Sequence, residues 1–271
     1  MRYPLLVILV TALLTMPSAS AADANGDGHE LILLPLAFRD EIDEIPGAFG
    51  TRWSGQVWLE NRNDVEVQLY DFCMQVCGGF APRHAGVLNN PLGVTRPEYG
   101  VLLYFPVQQA QHLTFSNRIF ERTLRSQPRG VDIPVVREGS FFTGEKTFLG
   151  VPAGSGVRVN VRAYDPWSNH PVAARPGGRL ESVTIEVRDK DQQLLGTSTL
   201  RPRIPNPGNT NYDFHKPGFD AISDLAGVFP AVAQLEYVHV RVRPVPATAQ
   251  YWAMVSVTDN LTQTVSIVTA Q

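Results

Sequence analysis

The feature that most constrains the fold is a period-two alternation of apolar and polar residues. Every odd-numbered position in residues 157–163 is apolar, and residues 183–188 and 238–243 repeat the pattern. Successive side chains of a strand point to opposite faces, so this pattern predicts strands with one buried and one wet face. No window of a dozen residues keeps a helical apolar stripe without a Pro or Gly. The chain is therefore predicted to be all-β with little helix.

Further strand candidates are separated by turn-forming Asn and Asp residues, and they cover 56–60, 65–71, 101–105, 112–124, 193–200, 251–258 and 263–269. Short strands at such spacing are typical of antiparallel sandwiches. A polar, Gly-containing stretch near 140–147 favours a boundary there. We therefore predict two antiparallel β-sandwich domains in tandem, at 31–143 and 144–271. A single elongated sheet structure is the alternative.

The first 21 residues have the pattern of a secretory signal peptide. Arg2 precedes an apolar run at 5–14, and Ala19 and Ala21 form a small-x-small cleavage site. The run is about half of the roughly 20 residues that a membrane-spanning helix needs. We expect a signal peptide at 1–21, a flexible N-terminus at 22–30, and a mature chain without a transmembrane segment. The mature protein is predicted to be secreted, periplasmic or held at the cell surface of a bacterium.

Charge and composition limit the partners. The chain has 23 basic and 26 acidic residues, so its net charge is mildly negative. Such a balance argues against nucleic acid as a partner, because phosphate backbones attract basic proteins. The expected partner is an extracellular protein or a glycan.

Four short segments carry a resemblance to known proteins. They are residues 32–35, 47–53 with the strand after it, 148–152, and the closing hairpin from Trp252 to Asn260. The chain resembles secreted bacterial proteins built from immunoglobulin-like or fibronectin-III-like sandwiches. The resemblance implies immunoglobulin-like domains, and it implies no particular activity.

The two cysteines, Cys73 and Cys77, are predicted to form a structural disulfide. Thiols that lie close in an exported chain tend to pair in an oxidising compartment. Two Cys four residues apart in a straight strand are too distant to be bridged. The pairing therefore predicts a turn or one helical turn at 73–77. A redox or metal role is the alternative.

Aromatic residues give the best indication of binding. Tyr164 and Trp167 follow a strand and enter a loop, where an exposed ring stacks on sugars or anchors a protein partner. For Trp167 itself, the favoured interpretation is that it folds back to cover the sheet, and an exposed binding ring is the other. His215, on a long loop at 201–234, is a further weak binding candidate. The other tryptophans are interpreted as core or sheet-covering residues, and they are Trp53, Trp58 and Trp252.

No catalytic motif, metal-ligand spacing or cofactor-binding loop stands out, and we assign no catalytic residue, metal or cofactor. Acidic residues cluster at 40–44, where a solvated loop is the main interpretation and a Ca²⁺ or acid–base site the alternative. The sequence predicts a non-catalytic binding or structural module that recognises a surface protein or polysaccharide through its loops. The alternative is a β-sandwich hydrolase or lyase acting on polysaccharide.

Overall fold

In the computed structural model the chain is mostly β, and its strands pair in antiparallel fashion. The structure describes residues 26, 28–38, 44–47, 50–70, 76–88, 99–123, 130–169, 175–204 and 216–271. Within these ranges, no helix has the length and apolar character that crossing a bilayer requires.

Residues 29–137 form two sheets. Their elements are β1 (His29–Leu34), β2 (Ile45–Pro46), β3 (Arg52–Asn61), β4 (Val67–Tyr70), β5 (Val76–Phe80), β6 (His84–Val87), β7 (Val101–Pro106), α1 (Val107–Ala110), β8 (Leu113–Glu121), β9 (Gly130–Ile133) and β10 (Val136–Arg137). Sheet I has the order β10-β1-β7-β4-β5. Sheet II has the order β2-β3-β8-β9, and β6 also pairs with β3.

Residues 146–268 form two more sheets. Their elements are β11 (Lys146–Pro152), β12 (Val157–Asp165), β13 (Ser182–Arg188), β14 (Leu194–Leu200), β15 (Gly218–Ile222), α2 (Leu225–Val228), β16 (Tyr237–Val245), β17 (Trp252–Asp259) and β18 (Val265–Val268). Sheet III has the order β11-β16-β13-β14, and sheet IV the order β15-β12-β17-β18. An isolated bridge joins Phe142 to Tyr251, so the chain already pairs with this second half at residue 142.

The alternating segments and the further strand candidates all contain strands, which confirms a mostly β chain with little helix. Strands also occur in two stretches that the sequence does not assign to strands, and the second of them is the stretch interpreted above as a long loop. The stretch at 73–98 contains β5 and β6, and the stretch at 201–234 contains β15 and α2. Sequence alternation missed β5 because its centre is Gly78-Gly79, and glycine has no side chain to mark a buried face.

Three apolar cores hold the sheets together. One, within the first half, includes Ile32, Leu34, Leu103 and Phe105. Another, between sheets III and IV, includes Val161, Ile185, Val240 and Val255. The third draws buried residues from both halves, and we call it the junction core: Leu31, Leu33, Leu36, Phe38, Trp53, Leu102, Tyr104, Ile119, Ile133, Val136, Phe141, Tyr164, Trp167, Trp252 and Met254.

The junction core exists because the central strands of sheets I and IV are buried on both faces. In β1, Leu31 and Leu33 face the junction core, whereas Ile32 and Leu34 face the core of the first half. In β17, the junction core receives Trp252 and Met254, while the alternate residues enter the core of the second half. A strand buried on both faces needs an unbroken apolar run, and residues 31–34 and 101–105 have one.

A buried hydrogen bond crosses the junction core. The Tyr164 hydroxyl, at the end of β12, donates to the Pro35 carbonyl over 2.5 Å. The Tyr164 ring is fully buried and lies 5.8 Å from Trp252, measured between ring centroids. The bond therefore connects sheet IV to the segment that follows β1 in the first half.

We expect Tyr164→Phe to lower the free energy of unfolding by about 1–3 kcal/mol, because it keeps the ring and leaves a buried carbonyl unpaired. Urea denaturation of the purified protein measures the change. Tyr237→Phe, at a tyrosine that is 37% exposed, is the matched control and should stay within about 0.5 kcal/mol of wild type. Equal stability of the two variants would show that the Tyr164 bond contributes nothing.

Candidate binding site at the junction of the two halves

A cavity of about 360 Å³ lies beside the junction core, between sheets II and IV. Its two walls differ in chemistry. The wall from the first half is apolar and includes Leu36, Phe38, Trp53, Ile119 and Ile133. The wall from sheet IV is polar along β12 and β17, with Arg158, Asn160, Arg162, Ser256 and Thr258, and it is apolar at its edge strand β18, with Val265 and Ile267.

The polar wall follows from the alternation of β12. Val159 and Val161 enter the core of the second half, so Arg158, Asn160 and Arg162 point to the opposite face. The register with β17 sets Arg158 opposite Thr258 and Asn160 opposite Ser256. Neighbouring strands thus present a continuous patch of guanidinium, amide and hydroxyl groups.

The apolar wall comes from the inner face of sheet II and from the segment after β1. Trp53 on β3 pairs with Glu121 on β8, and Ile119 lies two residues away on that strand. Gly55 leaves room for the Phe38 ring, because a Cβ at position 55 would lie 2.6 Å from that ring. Any larger residue at position 55 would therefore displace part of this wall.

The described lining of the cavity carries more positive than negative charge. Nε and Nη1 of Arg162 are buried and have no hydrogen-bond partner. In the described part of the chain, Arg158 and Arg162 have no carboxylate within 4.0 Å. Asp224 is the one carboxylate among the described residues of the lining, and its Oδ1 accepts from the Ala226 backbone N–H over 3.2 Å. The site can therefore offer cationic donors to an acceptor that is itself anionic.

The structure does not bring the predicted aromatic residues to the surface. Trp167 is 1% exposed, and its Nε1 donates to Gln250 Oε1 over 2.9 Å. Tyr164 is 0% exposed and belongs to the same junction core. An exposed stacking ring is therefore wrong for both residues, and the burial of Trp167 agrees with the favoured interpretation in which it folds back over the sheet. The physical reason is that the other half covers this end of sheet IV.

Trp58 also differs from expectation. Trp53 and Trp252 are buried as interpreted, but Trp58 is 47% exposed on the outer face of sheet II. It lies opposite Ser116 on β8 and Val87 on β6. A large ring exposed among small neighbours on a flat sheet face can stack on a ligand.

The remaining candidates lie partly outside the described residues. His215 and Cys73 are not described, nor is the side chain of Cys77, although its backbone belongs to β5. The disulfide and the role of His215 stay predictions. In the acidic cluster, Glu44 is described and pairs with Arg52 at 2.9 Å and with Arg122 at 3.7 Å. Among the described residues, no group of three or more His, Cys, Asp or Glu could hold a metal ion.

Asp165, at the end of β12, is a buried carboxylate with perturbed protonation. Its Oδ1 accepts from the Trp167 backbone N–H over 3.0 Å, and its Oδ2 lies 3.9 Å from Arg175 Nη1. Loss of solvation on burial raises the pKa of Asp165 to about 6, because it outweighs the opposing hydrogen bond and the charges of Arg175 and Arg179.

Sequence reasoning identified the strand that forms the polar wall and missed the site itself. The alternation in 157–163 correctly separates a buried face from a polar one. The alternation predicts that the polar face is solvated, but sheet II and the segment after β1 lie over that face. Two arginines flanking an asparagine on one strand face were the available signal.

Comparisons with protein-family models, with curated proteins and with solved structures find no match for this chain.

The raised pKa of Asp165 predicts how stability depends on pH. A group whose pKa is higher in the folded state stabilises the fold fully below its unfolded value, near 3.8, and this contribution is lost as pH rises through about 6. The contribution is at most about 3 kcal/mol. We expect Asp165→Asn to flatten the fall in unfolding free energy between these pH values, measured by urea denaturation.

The control is Asp132→Asn, at a side chain that is 82% exposed on β9. This variant should keep the wild-type slope. An unchanged slope in Asp165→Asn would contradict the assignment.

Proposed function

We propose that this chain is an exported, non-catalytic binding module of two immunoglobulin-like β-sandwich units in tandem, and that it binds a glycan in the junction cavity. The observation that carries the proposal is the contrast between the two cavity walls. Trp53 and Phe38 lie on one side, and Asn160, Ser256 and Thr258 lie on the other. A site of this kind selects a ligand that is itself two-faced.

Sugars have this two-faced character. The C–H groups on one face of a pyranose pack against aromatic and aliphatic side chains, while its hydroxyl groups both donate and accept hydrogen bonds. Small-molecule sites occupy roughly 300–1,000 Å³ and are apolar with a few well-placed polar groups. The cavity, at about 360 Å³, is at the small end of that range. It suits a few sugar residues, such as one end of a polysaccharide.

A second candidate surface is the outer face of sheet II around Trp58. Its 47% exposure favours a contact with a longer glycan or with an extracellular protein. The rival enzymatic function, a hydrolase or lyase acting on polysaccharide, needs two carboxylates that flank the scissile bond. The described lining of the cavity supplies only Asp224, which favours binding over that chemistry.

We expect the purified protein to bind at least one class of oligosaccharide on a glycan array. The double variant Asn160→Ala/Ser256→Ala should weaken that binding roughly tenfold or more, because two hydrogen bonds to sugar hydroxyls are lost. Isothermal titration calorimetry on the best array hit measures the change.

The matched control is Thr197→Ala/Thr199→Ala, which removes two exposed polar groups from β14 on sheet III. It should leave the affinity unchanged. If binding survives the cavity variant and is lost in Trp58→Ala, the glycan binds at the outer face of sheet II and not in the cavity. Cleavage products in the titrated sample would support the enzyme instead.

Export is tested separately. We propose that residues 1–21 are removed during secretion, because they combine Arg2, an apolar run and a small-x-small site. Intact-mass measurement of the protein recovered from periplasm or medium should give a chain that begins at Ala22. A chain that retains Met1 and stays in the cytoplasm would contradict this part of the proposal.

A further inference from the structure

We propose that the sugar bound in the junction cavity is acidic, and that its carboxylate accepts a hydrogen bond from the Arg162 guanidinium. Arg158 adds a second positive charge at the other end of the polar wall. This inference deepens the proposed function and rests on it. The chemical class of the ligand is therefore a uronic-acid-containing oligosaccharide.

The first argument is the state of Arg162. The guanidinium is a cation with five N–H donors and no acceptor. Its Nε and Nη1 are shielded from solvent and have no hydrogen-bond partner. A buried donor on a charged group that has no acceptor destabilises the folded protein. A ligand in the cavity cannot reach these two shielded atoms, but Nη2 is not among them, so Nη2 is the donor that an anionic acceptor in the cavity reaches. A carboxylate forms a stronger hydrogen bond with guanidinium than a neutral hydroxyl does.

The second argument is the charge balance of the lining. Arg158 and Arg162 lie on the same face of β12, about 13 Å apart along the strand at the usual rise per residue. Asp224, the acidic residue among the described lining residues, already accepts from the Ala226 backbone. Among the described lining residues, two arginines stand against one carboxylate, and this excess of positive charge favours an anionic ligand over a neutral one.

The third argument is the arrangement of neutral groups between the two arginines. Asn160 lies midway between them on β12, and Ser256 lies opposite Asn160 on β17. An amide and a hydroxyl both donate and accept, so they suit the hydroxyl groups of a sugar ring. A simple inorganic anion or a fatty acid would leave this central part of the wall without partners. The full row of groups therefore fits a carboxylate attached to a polyhydroxylated ring.

The test compares an acid with its own methyl ester. Oligogalacturonate and oligoglucuronate are titrated into the wild-type protein, followed by the methyl-esterified forms of each. Esterification removes the negative charge and keeps the ring and its hydroxyls. We expect at least one acid to bind tenfold or more tightly than its ester, and we expect this preference to shrink as salt is raised from 50 to 500 mM.

The variant is Arg162→Met, which keeps much of the length of the side chain and removes the charge. We expect it to reduce the acid-to-ester preference to less than threefold. Because the donors are unpaired without ligand, we expect its urea midpoint to equal or exceed that of wild type. A residue with a merely structural role would instead lower the midpoint. Arg118→Met, at an exposed arginine on β8, changes the net charge equally and should keep the preference.

Each outcome has one meaning. Equal binding of acid and ester, or binding of neutral glycans alone, overturns the acidic-sugar inference and leaves the proposed glycan function standing. If no glycan binds at all, the proposed function itself fails. If acetate or a fatty acid binds as tightly as the uronates, the sugar part is overturned. An acid preference that Arg162→Met leaves intact also overturns the inference.

Discussion

The junction core is the interaction on which the rest of the structure depends. Sheet IV has apolar side chains on both faces. Val161 and Val255 lie on one face, in the core of the second half, and Tyr164, Trp252 and Met254 lie on the other, whose burial requires the first half of the chain. The hydrogen bond from Tyr164 to the Pro35 carbonyl sets the position of that contact. The cavity lies beside these contacts. On this face of β12 the side chains change from aromatic Tyr164 to polar Arg162, Asn160 and Arg158. The apolar contacts of the junction core and the cavity therefore lie side by side in the interface between the two halves of the chain.

The secondary structure could largely be predicted from the sequence, because a strand with one buried face shows its alternation directly. Sheets III and IV follow from the alternating segments at 157–163, 183–188 and 238–243. The failures have physical reasons. β5 contains consecutive glycines, and β15 lies in a Pro-rich stretch, so neither has an alternating apolar pattern. Pairing between halves leaves no periodic signal, because it joins residues far apart in sequence.

The site was predictable only in part, since alternation assigns a side chain to a face and does not say what covers that face. Arg158 and Arg162 were placed on the correct face of β12, but that face lies against the first half. The same limit applies to two tryptophans. Trp167 leaves a strand into a loop and is buried because the first half covers that end of sheet IV, whereas Trp58 lies on the outer face of sheet II and is 47% exposed. Local sequence does not show which face of a sheet another part of the chain covers.

The two walls of the cavity belong to different halves of the chain, and this links binding to stability. The polar wall is an unfavourable surface to bury by itself, because unpaired donors such as Arg162 Nε lose their hydration without gaining an acceptor. A ligand that touches both walls pairs with the polar groups that remain accessible and adds contacts with Trp53 and Phe38. Such a ligand binds only when the halves are joined, so by mass action its binding free energy also stabilises their contact. Apolar side chains at the positions of Arg158, Asn160 and Arg162 would make a more stable junction, and the polar groups found there instead favour a surface kept for a ligand.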